Sequence, residues 1–235
     1  VSAKNKWKKQ IPSDAASFRR PKGSARPGNA ILIVTEGLVS EPAYFTALKR
    51  RLALQTLEIE VQPGGMGDPQ KLVEYAVGLR EARRREARNG TLSLSKALDF
   101  DEVWIVFDTD VPLAHGRLQA GLAKAASKKI QVAHSTPCFE FWLLLHKTYT
   151  TAPMLKCADA VARLESTLTS RYSKASQDAV SVIPPLLESL DTAMANAEKI
   201  RLHHSAVATP SPANPSTEVD HLIASIRSTA SPAHS

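Results

Sequence analysis

Two carboxylates separated by one residue, Asp108 and Asp110, stand directly behind an apolar run, and two further acids, Glu36 and Glu140, stand close behind other such runs. Acids gathered in one place repel one another unless a cation lies between them. Mg²⁺ suits that role, because it takes hard oxygen ligands from one or two carboxylates, waters and substrate phosphate. An i, i+2 pair in a turn leaving a strand can direct both carboxylates at one ion or at neighbouring ions, and such an ion stabilises the charge that develops in phosphoryl transfer. Glu36, Asp108 and Asp110 are therefore the candidate ligands for Mg²⁺ or Mn²⁺. Glu36 is equally a candidate general acid/base, and spacing does not separate the two roles. Glu140 is a candidate supporting acid, since Phe139, Phe141, Trp142 and Leu143 around it point to partial burial, where a carboxylate needs a partner. Each acid also has a plain reading: Asp is an ordinary turn former after a strand, Asp110 can cap the segment behind it, and Glu140 suits the first turn of a helix.

Other chemistries find less support. His203 and His204 are adjacent, and neither His115 nor His134 has a ligand-spaced neighbour, so a metalloprotease site is not indicated. There is no Gly-rich Walker loop, no Gly-x-Ser-x-Gly elbow and no Gly-x-Gly-x-x-Gly fingerprint. Asp108-Thr109-Asp110-Val111 also fits the nucleophile motif of a haloacid-dehalogenase-type phosphatase, but no convincing acidic pair occurs downstream of it.

The elements that must position these acids can be read from periodicity. Residues 30–34 form a short β-branched run after the Pro27-Gly28 turn signal, which predicts a buried strand ending just before Glu36. Ser40 can cap a helix with Pro42 in its first turn and Tyr44, Phe45, Leu48 and Leu52 on one face. Residues 57–61 alternate with period two, as a half-buried strand does, and a helix is predicted over about 69–88. Its Arg-rich end (Arg83, Arg84, Arg85, Arg88) suits the negative end of the helix dipole, with phosphate binding as the alternative. Further strands are predicted at 103–107 and 130–133, with a helix over about 115–128 between them. Helices are expected near 156–169, 184–203 and 216–228, with a loop over 205–215. Strands alternating with helices predict an α/β fold, a mostly parallel sheet covered on both faces. Ligands of such sheets bind at the carboxyl ends of the strands, which is where Glu36, Asp108, Asp110 and Glu140 fall.

Composition sets the outer bounds. A chain of 235 residues with 43% hydrophobic and 23% charged residues is an ordinary globular protein, and no apolar run approaches the ~20 residues needed to span a bilayer. No membrane association is expected, and the cytoplasm is the expected compartment. The whole net charge of +7 resides in the first 29 residues, where eight basic residues oppose Asp14 alone. That segment reads as a flexible basic arm whose Arg19, Arg20, Lys22 and Arg26 are candidates for pairing with nucleic-acid phosphates, with an acidic protein partner or a merely solubilising tail as alternatives. Cys138 and Cys157 are too few for a Cys-based zinc site and are expected as reduced thiols. The aromatics of 139–142 are expected in the core rather than as a base-stacking platform. The expected organisation is a basic arm over 1–29, an α/β domain over 30–150 and a helical extension over 151–235.

Four ordered motifs resemble a known family. They are Ile31-Leu32-Ile33-Val34-Thr35-Glu36-Gly37 with Glu41-Pro42-Ala43-Tyr44-Phe45; Val103-Trp104-Ile105-Val106-Phe107-Asp108-Thr109-Asp110; the run from Ser135-Thr136-Pro137-Cys138-Phe139-Glu140 to His146; and Asn214-Pro215-Ser216-Thr217 with Val219. Together they resemble the RloB-like family over about residues 19–227. The resemblance implies a Toprim/Rossmann-like fold in which a Glu after the first strand and an Asp-x-Asp after a later one, here Glu36, Asp108 and Asp110, form a Mg²⁺ site. It further implies a nuclease of anti-phage defence (abortive infection or restriction), working on DNA or RNA with an AAA- or ABC-type ATPase partner. The alternative is a non-catalytic nucleic-acid-binding or sensor subunit of such a system. Two positions depart from the family pattern: Val39-Ser40 stands where Lys-Thr is frequent, which removes a candidate phosphate-binding lysine, and Thr136 stands where Asn is common.

Overall fold

The protein is described by a computed structural model covering residues 29–52, 57–169, 171–172, 174 and 177–230. The arm residues Arg19, Arg20, Lys22 and Arg26 lie outside the described residues. The apolar run behind Pro27-Gly28 forms strand β1 (Asn29–Thr35), followed by α1 (Ser40–Leu52), β2 (Leu57–Pro63), α2 (Pro69–Arg88) and β3 (Glu102–Asp108). Then come α3 (Asp110–Ala114), α4 (Leu118–Ser127), β4 (Gln131–Thr136) and α5 (Phe139–Leu145). The chain continues through α6 (Cys157–Thr167), α7 (Gln177–Leu187), α8 (Leu190–Ala206), β5 (Ser216–Thr217) and α9 (Val219–Ala230).

The sheet order is β2-β1-β3-β4-β5, parallel throughout except for β5, which pairs antiparallel with β4. Period two along β1 divides its side chains between two cores. Ile31 and Ile33, with Trp104 and Val106 of β3, face α1, α5 and the helices after residue 150, whereas Ala30, Leu32 and Val34, with Ile105 and Phe107, face α2 and α4. The fold is α/β, with helices on both faces of a mostly parallel sheet. Among the described residues no helix is long and apolar enough to cross a membrane.

Local chemistry explains most of the boundaries. The Asp68 carboxylate accepts from Gln70 N at 2.9 Å and Lys71 N at 3.4 Å, and Pro69 occupies the first helical position, where no backbone donor is missed, so α2 starts as expected. Gly121 of α4 lies so close to α2 that a Cβ there would meet Pro69 Cβ at 2.4 Å. The expected 115–128 helix is shorter, α4 beginning only at Leu118 behind Gly116 at φ 66°, and residues 110–114 form a separate short helix, α3. The expected 184–203 helix is two: Pro184 and Pro185 lie inside α7 and not at a helix start, and a fresh helix begins at Leu190. Ser216 and Thr217 are a strand, because Ser135 and Thr136 of β4 offer a free edge and the Asn214 side-chain amide is clamped onto the Met154 backbone, accepting from Met154 N at 3.1 Å and donating to Met154 O at 2.7 Å.

Two of the four arginines at the end of α2, Arg83 and Arg84, are committed to ion pairs within the fold. Arg83 is buried, with Nη2 at 2.6 Å from both Glu58 and Glu60, and its guanidinium lies 3.8 Å from the Phe100 ring centroid. Arg84 pairs with Asp99 and Glu81. Arg83→Ala is expected to cost about 3–5 kcal/mol in chemical denaturation, since it leaves two partly buried carboxylates without their shared cation; a loss below 1 kcal/mol would refute that account.

Candidate metal centre

The order of strands reverses at β1. The chain passes from β1 to its neighbour β2 on one side and then to β3 on the other, so the carboxyl ends of β1 and β3 form the switch point at which open α/β sheets bind ligands. Glu36 leaves β1 and Asp108 ends β3 at this place. They are linked directly: Glu36 Oε2 accepts from Asp108 N at 3.0 Å, and Glu36 N donates to Val106 O at 2.8 Å. The cleft has a volume of about 580 Å³, and Glu36, Gly37, Ser40, Glu41, Asp108 and Lys174 are among the residues lining it.

Asp108 is held from two directions, its Oδ1 accepting from Phe139 N at the start of α5 at 2.8 Å and its Oδ2 from Lys174 Nζ at 2.7 Å. Glu140 is fully buried one residue further on, accepting from the Tyr172 hydroxyl at 2.9 Å and pairing with Lys174 at 3.2 Å. The structure thus brings Glu36, Asp108 and Glu140 together. Asp110 is at the rim, where it opens α3 and its Oδ1 accepts from Val111 N at 2.7 Å, yet its charge still helps raise the Glu36 pKa.

Three functional candidates escape a reading of the sequence. Glu41, in the first turn of α1, is 1% exposed; Oε1 accepts from Gly37 N at 3.2 Å, and Oε2 has no partner among the described residues. A Cβ at position 37 would lie 1.9 Å from that oxygen, so the carboxylate packs where only glycine leaves room. Its sequence signal, an acid before Pro42, reads equally as a helix-start residue. Lys174 and Tyr172 lie 66 and 32 residues from the acids they bind, in a stretch with no periodic mark. Thr136 keeps a polar role, accepting from the Thr109 hydroxyl at 2.9 Å and so bracing the Asp108-Thr109-Asp110 turn.

Burial pushes the Glu36 carboxyl up to about 7, with the Asp108 and Asp110 charges adding to it. Burial likewise lifts Glu41 to about 8 and Asp108 to about 6, with neighbouring acids contributing in each case. Lys174 moves upward, held charged by Asp108 and Glu140 despite its own desolvation. Among the described residues one ammonium faces Glu36, Glu41, Asp108 and Glu140, so the donor set is short of positive charge, and the unpartnered buried Glu41 oxygen is a vacant hard ligand. These residues fit a divalent cation of the Mg²⁺ class.

The cysteines correct an expectation. Cys138 and Cys157 are not reduced thiols but are joined in a disulfide, Cα atoms 5.3 Å apart, tying the start of α5 to that of α6 beside the acids. Their separation along the chain conceals that the two helix starts meet. The aromatics of α5 are core, as expected, with Phe139, Phe141 and Trp142 at most 1% exposed.

No curated protein and no solved structure matches the chain. The family model described as RloB-like protein matches residues 31–226, a span that contains all four motifs and every acid of the cleft. The chain belongs to the RloB-like family.

Proposed function

We propose that the protein is a Mg²⁺- or Mn²⁺-dependent nuclease of the Toprim type, cleaving phosphodiester bonds of DNA or RNA. The observation that carries the reading is the convergence of Glu36, Glu41 and Asp108 at the switch point, with a buried carboxylate oxygen lacking any partner among the described residues. Glu36, Asp108 and Glu41 would hold the ion, with Asp110 joining from the rim. When bound, the ion supplies positive charge for the oxygens of the reacting phosphoryl group. Glu36 sits where a carboxyl near neutrality can exchange a proton with attacking water or the leaving oxygen. Lys174 fixes the Asp108 carboxylate and neutralises Glu140, which in turn is oriented by Tyr172.

Membership of the RloB-like family supports a role in anti-phage defence, and by that association an AAA- or ABC-type ATPase as partner and the cytoplasm as compartment. The test is incubation of the purified chain with plasmid, single-stranded DNA and RNA in Mg²⁺, Mn²⁺ or EDTA, alone and with its ATPase. Metal-dependent cutting lost on substitution of Asp108 establishes the reading. The competing one, a non-catalytic sensor subunit, draws on Lys174, which already gives Asp108 and Glu140 a cation; no cutting under any condition would favour it.

The basic arm adds a separate expectation. Deleting residues 1–26 removes eight positive charges and one negative, and should weaken nucleic-acid binding and flatten its salt dependence. Equal slopes of log Kd against log salt for the two forms would assign the arm another role.

A further inference from the structure

The disulfide adjoins the acids closely enough to matter chemically. One ligand atom each from Asp108, Cys138, Glu140 and Cys157 lies within 4.8 Å of the other three. Once the bond between the sulfurs is broken, two sulfurs and two carboxylates gathered so closely are the donor set of a tetrahedral site for a thiophilic divalent ion, Zn²⁺ above all, rather than for Mg²⁺. A second observation points to a cation at this spot. The Lys174 ammonium is already there, 2.7 Å from Asp108 Oδ2, 3.2 Å from Glu140 Oε2 and 3.6 Å from Cys157 Sγ.

We infer that Cys138, Cys157, Glu140 and Asp108 form a redox-gated site for a Zn²⁺-class ion, closed while the disulfide is intact and opened by its reduction. The disulfide sulfurs are neutral and already bonded to each other, so one ammonium meets the two carboxylates. A dithiol reductant gives up two electrons and two protons, its own sulfurs joining in a disulfide while the Cys138–Cys157 bond breaks to two thiols. Binding of the ion then displaces the two thiol protons to solvent and leaves two thiolates and two carboxylates around it, a charge that a divalent ion balances better than an ammonium does. The Lys174 side chain is 37% exposed and has room to swing its charge into solvent. Because Asp108 also lines the switch-point cleft, filling this site changes the ligands left for a Mg²⁺-class ion. The inference concerns metal binding and holds whether or not the protein cuts nucleic acid.

The experiment is titration of the full chain with Co²⁺ as a spectroscopic substitute for Zn²⁺, in the oxidised form and after reduction with a phosphine that is then removed without air. Reduced protein is expected to take up one Co²⁺ with a thiolate-to-cobalt charge-transfer band in the near ultraviolet, bleached by one equivalent of Zn²⁺ and retained in excess Mg²⁺. Oxidised protein should give no such band, and Cys157→Ser after reduction should lose about half its intensity or more. Uptake of Co²⁺ by reduced wild-type protein without a thiolate band, or an equal band from the oxidised form, overturns the inference. Wild-type protein compared in its two redox forms keeps the test decisive even if the serine variant fails to fold.

Discussion

Asp108→Asn is expected to reduce metal-dependent cleavage by on the order of 10³-fold, the size of effect seen when a charge-stabilising contact at a reacting centre is lost. The reasoning is local. An amide keeps the Oδ1 acceptor that Phe139 N uses at the start of α5, so the helix stays anchored, but it removes the anion that an ion and Lys174 both need. Asp110→Asn should cost much less, because Asp110 stands at the rim with one oxygen committed to Val111 N. Glu36→Gln should resemble Asp108→Asn, since Glu36 lines the same cleft and its second oxygen receives Asp108 N. Circular dichroism and thermal melting separate loss of chemistry from loss of fold. Cleavage by folded Asp108→Asn protein at the parental rate would remove Asp108 from the centre, and a deeper loss at Asp110 than at Asp108 would reverse the assignment of core and rim.

The second large effect is on stability, and its sign comes from burial. Asp108, Glu36 and Glu41 are raised to about 6, 7 and 8 in the folded protein, above the carboxylate range of an unfolded chain. Between those limits the folded state binds more protons, so without metal its stability is fullest at low pH and declines as pH rises from about 4.5 through about 8, levelling off beyond. A divalent ion competes for the same oxygens. Its stabilisation should therefore be small at about pH 5.5 and large at about pH 8.5. Glu41→Gln copies the protonated form and removes the largest single contribution. In EDTA at about pH 8.5 it should melt higher than the parent by roughly 6–12 °C, equivalent to about 3 kcal/mol for a chain of this length, with no gain at about pH 4.5. It should also respond less to Mg²⁺ and Mn²⁺. Melting temperatures in EDTA that climb across this pH range, or a metal-induced rise that ignores pH, would refute the burial argument.

These predictions rest on residues of unequal visibility. Glu36, Asp108 and Glu140 can be picked out in the sequence because each comes after a strand whose period is plain, and a parallel sheet sends the ends of its strands to one side. Asp110 reads as the equal of Asp108, since spacing carries no measure of depth; only the start of α3 turns it outward. Glu41 is hidden behind an ordinary helix-start pattern. Its burial depends on Gly37 leaving room and on α1 packing over the cleft, neither of which has a local signature.

Periodicity and turn chemistry act over a few residues, and they suffice for most of the elements, the α/β class, the faces of the strands and three of the acids. They do not reach the existence of the sheet's antiparallel closing strand, the break between α7 and α8, the Cys138–Cys157 bond or the arrival of Lys174 and Tyr172 among the carboxylates, all of which emerge in the folded molecule. The strand pairing, the disulfide and the Lys174 and Tyr172 contacts join groups far apart along the chain. The free energy that selects them comes from burial and charge pairing in the folded interior, and these act through space rather than along the sequence.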